Sequence, residues 1–252
     1  MSDGLEVEAL TVQRGDLTIC RDVDLVVPRG EITVLLGANG AGKTTLLDGI
    51  AGMLPAASGT VALGGRRIDR LAVHRRARAG LGYAEQGRSV FSRLTVAQNL
   101  VVVDRSGSAL ERAFDLFPRL AERRDVRAGL LSGGEQQMLV VARALATRPT
   151  VLMVDELSLG LAPQMVRTLV DALVELAASG VGILLVEQFV EIALAVGSIA
   201  HVMHRGRIVR TDTCAALLAE RTSALSPYYL GGAGGSSGGS AGGTATPADD
   251  EN

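Results

Sequence analysis

The stretch Gly37-Ala38-Asn39-Gly40-Ala41-Gly42-Lys43-Thr44-Thr45 follows directly on Ile32-Thr33-Val34-Leu35-Leu36 and leads into a helical pattern beginning near Lys43. A near-continuous apolar run of this length reads as a strand buried on both faces of a parallel sheet. A glycine-rich turn between such a strand and a helix is the P-loop pattern. Its glycines let the backbone wrap so that N–H groups point at phosphate oxygens, and the helix N-terminus adds partial positive charge. In that cradle Lys43 reaches the β and γ phosphates, and the Thr44 hydroxyl is placed to ligate Mg²⁺. The expected ligand is therefore a nucleoside triphosphate such as ATP.

Outward from this stretch, Val151-Leu152-Met153-Val154 and Gly182-Ile183-Leu184-Leu185-Val186 repeat the buried-strand pattern. Between them, Val166, Leu169, Val170, Leu173, Val174 and Ala177 recur at helical spacing after Pro163, a residue suited to a first helical turn. Strand, helix and strand make a βαβ unit, so the fold class is α/β: a P-loop NTPase core of parallel sheet with helices. Leu5 to Leu10 and Asp22 to Val27 alternate more strongly and predict a small antiparallel β layer. From about residue 87 to residue 146 the chain reads as a helical subdomain insert, with Thr95-Val96-Ala97-Gln98 forming a capping box. The expected organisation is one ATP-binding domain over 1–230, then a tail over 231–252. That tail is nearly all Gly, Ser, Ala and Thr, and it cannot bury enough apolar surface to offset the entropy of ordering.

Composition sets the remaining limits. With 252 residues and 47% apolar content the chain can bury a core, and a net charge of −2 provides no field for holding nucleic acid nonspecifically. Its 25 basic residues include a single lysine, Lys43, all the others being arginine. An ammonium is a compact point charge, whereas a guanidinium is a planar fork too wide for a narrow phosphate cradle. The lysine census thus points independently to the same residue, and the arginine excess reads as coding bias. Cys20 and Cys214 have no metal spacing around them, so neither a disulfide framework nor a zinc site is expected, and a reducing compartment fits. The opening Met1 to Glu6 has no apolar core of a secretory signal, and no run approaches the roughly 20 apolar residues that span a bilayer. A membrane link is expected to come through a partner.

A second motif adds acids to the phosphate loop. Asp155 and Glu156 close the buried run from Val151, at the C-terminal strand end where ligands of open parallel sheets bind. Asp155 is expected to orient Mg²⁺ through its water shell, and Glu156 to polarise the attacking water.

Leu131-Ser132-Gly133-Gly134-Glu135-Gln136-Gln137 then separates the P-loop families, because it looks like the signature sequence of ABC ATPases. The chain resembles that family from about Leu5 to Leu230. The resemblance implies that ATP is sandwiched between the P-loop of one subunit and Ser132 and Gly134 of a second ABC ATPase subunit. Ser132 to Glu135 also reads as a capping box opening a helix to Ala146, which would present free N–H groups to a γ-phosphate. Gln86 matches the glutamine that touches Mg²⁺ and the attacking water and links the core to the helical insert facing the membrane partner. Ser158-Leu159-Gly160-Leu161 matches the loop that crosses the dimer interface.

Finer segments, including Gly87 to Phe91, Leu116 to Leu120, Glu135 to Leu139, Leu159 to Pro163 and Leu185 to Gln188, resemble the ATP-binding subunits of branched-chain amino acid importers. Urea and short-chain amide importers are similar, and the other alternative is a module that dimerises on ATP with little turnover. The resemblance implies two membrane permease subunits, an extracytoplasmic solute-binding protein, and a cytoplasmic position at the inner face of the cell membrane. Three positions depart from the general pattern. Arg14 stands where most members stack an aromatic ring on adenine, Gln188 replaces the switch histidine near the γ-phosphate, and Leu157 replaces the proline after Glu156. Elsewhere, the arginine-rich stretch Arg66 to Arg78 reads as a solvated helix face, and apart from Arg14 no arginine is given a specific task. His201 and His204 fall on a strand at a spacing that points to opposite faces.

Overall fold

The computed structural model describes residues 3–220, apart from Gln86, Arg88, Ser106, Leu157, Leu159 and Gln188. In chain order the first half runs β1 (Leu5–Arg14), β2 (Leu17–Val27), β3 (Ile32–Leu36), α1 (Lys43–Ala51), β4 (Ala56–Leu63), β5 (Arg66–Arg67), α2 (Val73–Arg78) and β6 (Leu81–Ala84). There follow α3 (Val96–Val101), α4 (Ser108–Leu116), α5 (Pro118–Glu122), a 3₁₀ turn (Ala128–Leu130) and α6 (Gly133–Leu145). The remainder is β7 (Val151–Asp155), α7 (Pro163–Ala178), β8 (Gly182–Glu187), α8 (Val190–Val196), β9 (Ile199–His204), β10 (Arg207–Thr213) and α9 (Cys214–Ala219).

Two sheets organise these elements. The larger has the order β10-β9-β3-β8-β7-β6, parallel throughout except for the β9–β10 hairpin, and it places β3, β8 and β7 side by side. Their side chains alternate between two cores, and both faces are buried. Val34, Leu36, Leu152, Val154, Ile183 and Leu185 pack with Leu139 of α6 and Leu169 and Leu173 of α7. Leu35, Val151, Met153, Leu184 and Val186 pack with Leu46, Leu47 and Ile50 of α1 and with the second sheet. Each such aliphatic side chain removed from water contributes about 1.5–3 kcal/mol before the entropy of ordering is set against it. The second sheet, β2-β1-β4-β5, is antiparallel.

That antiparallel layer extends further than alternation alone indicates. β1 and β2 continue through register shifts near Ala9 and Asp22, both of which have positive φ, of 46° and 50°. The Ala9 amide donates to the Asp24 carboxylate at 2.7 Å, and the Asp22 amide donates to the Thr11 hydroxyl at 3.2 Å, so side chains satisfy the backbone groups that the bulges release.

The arginine-rich stretch departs from its expected reading. Arg76 is buried, and its guanidinium donates to Gly49 O, Ile50 O, Leu71 O and Asp69 O, at 3.1, 2.6, 2.9 and 2.6 Å. The last carbonyls of α1 lack a further helical turn of amides; Gly49 O accepts from the Gly52 amide at 3.1 Å, and the five-donor fork from α2 adds to it and supplies Ile50 O. So one arginine does have a structural task, tying α2 to the end of the phosphate-loop helix. On β9, His201 is buried with Nδ1 2.9 Å from the Thr211 hydroxyl, and burial lowers its pKa. Both cysteines are free and buried, and burial pushes the Cys20 and Cys214 thiols up to about 12 and about 11. Among the described residues no helix is long and apolar enough to cross a membrane. The 231–252 tail lies outside the described residues.

Candidate nucleotide site

The site forms where β3, β7 and β8 end. Gly37 to Gly42 turn from β3 into α1, with the Ala41 amide donating to Ala38 O at 3.0 Å and Leu46 N to Gly42 O at 2.9 Å. Gly42 caps the helix at φ 107° with no side chain satisfying the first-turn amides, so those donors face the loop. A side chain at Gly37 would bring a Cβ to 2.5 Å from Met203 O of β9, which is why the turn tolerates only glycine there. Beneath the loop the Cys20 thiol donates to Gly42 O at 3.3 Å.

Three charged side chains of the expected site come together. Lys43 is buried, and its Nζ donates to Gly37 O at 2.8 Å and Ala38 O at 3.3 Å while lying 3.7 Å from Glu156 Oε1. Glu156 lies just past β7 with φ 48°, a left-handed conformation that costs a non-glycine residue about 1–3 kcal/mol. Asp155, the last residue of β7, is 0% exposed, and neither carboxylate oxygen has a hydrogen-bond partner among the described residues. Burial pushes its pKa up to about 6, with Glu156 and Asp48 adding to the rise and the Thr44 hydroxyl and Lys43 opposing it. A buried acid with both oxygens unmet is a costly feature unless a cation or donor joins it.

The other expected residues sit as follows. Ser132 caps α6 in a complete capping box: its hydroxyl accepts from Glu135 N at 3.3 Å and its amide donates to the Glu135 carboxylate at 2.8 Å. Gly134, in the first turn, lies against Met165 of α7, where an added Cβ would meet the methionine side chain at 2.5 Å. Arg14 ends β1, mostly exposed, with its guanidinium 3.8 Å from the Asp48 carboxylate on α1. Asp48 in turn accepts from the Tyr83 hydroxyl at 3.3 Å. Gln86, Gln188 and Leu157 lie outside the described residues.

The family model for ABC transporters matches residues 20–158, which include the loop, the α6 capping box and the two acids. The chain belongs to the ABC transporter family. This ABC-family chain is 41% identical over 234 residues to the high-affinity branched-chain amino acid transport ATP-binding protein of Pseudomonas aeruginosa, covering 90% of this chain and all of that one. It is 35% identical over 210 residues to the lipopolysaccharide export system ATP-binding protein of Escherichia coli, covering 80% of this chain and 87% of that one. Its fold matches that of a nucleotide-free ATP-binding cassette from an ABC transporter, with a TM-score of 0.79, 24% identity, and coverage of 87% and 96% of the two chains. It is an ABC-type ATPase, a nucleotide-binding ATP hydrolase.

Reading from sequence missed one buried acid in this ABC cassette, and the ion pairs of another. Glu187 ends β8, and its carboxylate accepts from the Ser158 amide at 3.1 Å and from the Ser158 hydroxyl. Glu135 is not only a capping residue, since Arg119 and Arg123 reach its carboxylate at 3.0 and 3.6 Å. A charged residue closing an apolar strand run was the available signal for Glu187; nothing local in the sequence indicates the arginines that fold back onto Glu135.

Proposed function

We propose that this ATPase energises branched-chain amino acid uptake across the cell membrane. The observation that carries the site reading is the convergence of Lys43, Asp155 and Glu156 at the strand ends. The cargo reading is supported by the 41% identical Pseudomonas relative, which matches over its whole length. Gly37 to Thr45 hold the triphosphate of ATP through backbone amides, with Lys43 turning from the loop carbonyls to the β and γ phosphates. Glu156 orients and polarises the attacking water, and Gln86 and Gln188 are assigned to the same step by the resemblance alone. Arg14 lies against the adenine, its guanidinium plane replacing an aromatic face. Ser132 and Gly134 face the nucleotide of a second ATPase subunit from the start of α6.

The unmet oxygens of Asp155, together with the Thr44 hydroxyl, suit a hard divalent cation. Thr44, Gln86 and Asp155 would hold Mg²⁺, which when bound supplies charge neutralisation at the phosphates. The domain organisation that goes with this reading is a cassette over 1–230 with its helical part at about 87–146. At the junction between the two, a cavity of about 270 Å³ lined by Met53, Val73, Tyr83, Glu85, Val103 and Arg143 is the surface we assign to the permease. Met53 and Val73 are exposed apolar side chains on it, as a docking face requires. The partners are then a second ATPase subunit, two permease subunits and an extracytoplasmic solute-binding protein, and the chain works peripherally at the inner membrane face.

The test is isolation of the intact assembly from membranes, with identification of the proteins that accompany this chain and of the small molecule held by the binding protein. Branched-chain amino acids support the reading. A urea or amide ligand, or an export assembly with no binding protein, overturns the cargo assignment.

A further inference from the structure

We infer that Glu187 is a positioning residue for hydrolysis, a buried latch that fixes the segment carrying Glu156. β8 lies between β3 and β7, with Glu187 paired to Leu36 and Val186 paired to Asp155. The chain leaving β7 is therefore held by β8 at two successive points. The Glu156 amide donates to Val186 O at 2.9 Å. Two residues further on, the Ser158 amide and hydroxyl both donate to the Glu187 carboxylate, one to each oxygen. Glu187 and Ser158 are 3% and 4% exposed, so this contact is made out of water, where a charge-assisted hydrogen bond is strong and its loss is expensive.

Between those two anchors sits Glu156, in a left-handed conformation that its own side chain disfavours. Strain of this kind persists only where flanking contacts over-determine the backbone, and Val186 and Glu187 are those contacts. In that conformation the Glu156 carboxylate lies 3.7 Å from Lys43 Nζ, at the mouth of the phosphate loop. With the Ser158 end released, Glu156 relaxes toward an unstrained conformation and its carboxylate leaves the position set for the attacking water. A displacement of about 1 Å at a reacting group lowers the rate by up to roughly 10²-fold. Glu187 touches neither nucleotide nor water in this scheme; it acts through Ser158 and Glu156. The inference rests on the assignment of Glu156 as the group that polarises water.

The experiment compares kcat and KM for ATP, and equilibrium affinity for a fluorescent ATP analogue, in the purified full chain and in Glu187→Ala, Glu187→Gln, Ser158→Ala and the Glu187→Ala/Ser158→Ala double variant. Glu187→Ala and Ser158→Ala are each expected to lower kcat roughly 10- to 100-fold with KM and analogue affinity within about twofold. The double variant should fall no further than the worse single one, because both remove the same contact. Glu187→Gln keeps the shape and one acceptor oxygen, so it folds as the parent does and retains an intermediate kcat. An unchanged kcat in Glu187→Gln and Ser158→Ala would overturn the proposal, as would additive losses in which affinity and thermal stability fall together with kcat. Glu156→Gln, measured in parallel, separates the two ideas: hydrolysis at the parent rate would overturn the assignment of Glu156 on which the latch depends, whereas loss of turnover in Glu156→Gln with unchanged kcat in Glu187→Gln and Ser158→Ala would overturn the latch alone.

Discussion

The mouth of the phosphate loop and the start of α6 both bury a carboxylate beside a helix N-terminus, yet they are built on opposite terms. At α6 every oxygen of Glu135 is used: the Ser132 amide at 2.8 Å, Arg119 at 3.0 Å and Arg123 at 3.6 Å. Burial opposes the charge of Glu135, but the Ser132 contacts and Arg119 outweigh it and hold the carboxyl below the usual range. At the loop, Asp155 keeps two buried oxygens unmet, Glu156 sits in a strained conformation, and Lys43 is spent on loop carbonyls that a phosphate could replace. The first arrangement stabilises the fold; the second forgoes stability and leaves valence for a ligand.

The largest expected effect is from removing the loop's cation. Lys43→Ala should reduce ATP affinity and turnover by roughly 10²–10³-fold, read by titration with a fluorescent nucleotide and by phosphate release. Retained turnover would mean that the loop carbonyls, and not phosphates, are the functional partners of Lys43. Next comes Asp155→Asn, where activity and stability should move in opposite directions. Mg²⁺-dependent hydrolysis is expected to fall about 10–100-fold, while the ligand-free chain melts at the same temperature or higher, since the burial penalty on this carboxylate outweighs what the Thr44 hydroxyl and Lys43 return to it. A lower melting temperature would show that Asp155 is already satisfied and that the contrast with Glu135 is false.

The smallest effect belongs to α6. Glu135→Gln keeps the shape of the capping box and removes the charge, so it should cost about 1 kcal/mol or less at pH 7, with both arginines half-exposed. The sign with pH follows from the lowered carboxyl pKa. The contribution is present above the ordinary glutamate range and is lost as pH falls through the lower folded value. Melting curves from pH 7 to pH 3 should therefore converge for parent and variant at the acid end. A gap that widens toward low pH would contradict the pairing.

How much of this was legible in the sequence depends on the range of the interaction. The β3–loop–α1 unit, the two acids after β7 and both capping boxes are local, and residue type at fixed spacing defines them. The β1 and β2 strands were legible only as fragments, because the bulges at Ala9 and Asp22 break the two-residue period that marks a strand. The sequence around Arg76 reads as a solvated face because the partners of this arginine, the carbonyls of Gly49 and Ile50, lie on a different helix and carry no side-chain signature. The Glu187–Ser158 contact spans 29 residues and depends on β8 lying beside β7, a fact of sheet order rather than of either segment.

The central claim is that the strand ends around Lys43 and Glu156 form a site for ATP hydrolysis in which Glu156 acts on water and not on nucleotide binding. Glu156→Gln tests it most directly, with ATP-analogue affinity and phosphate release measured on the same preparation. Affinity should remain within about twofold while release falls at least roughly 10²-fold. Release at the parent rate with affinity intact would contradict the account.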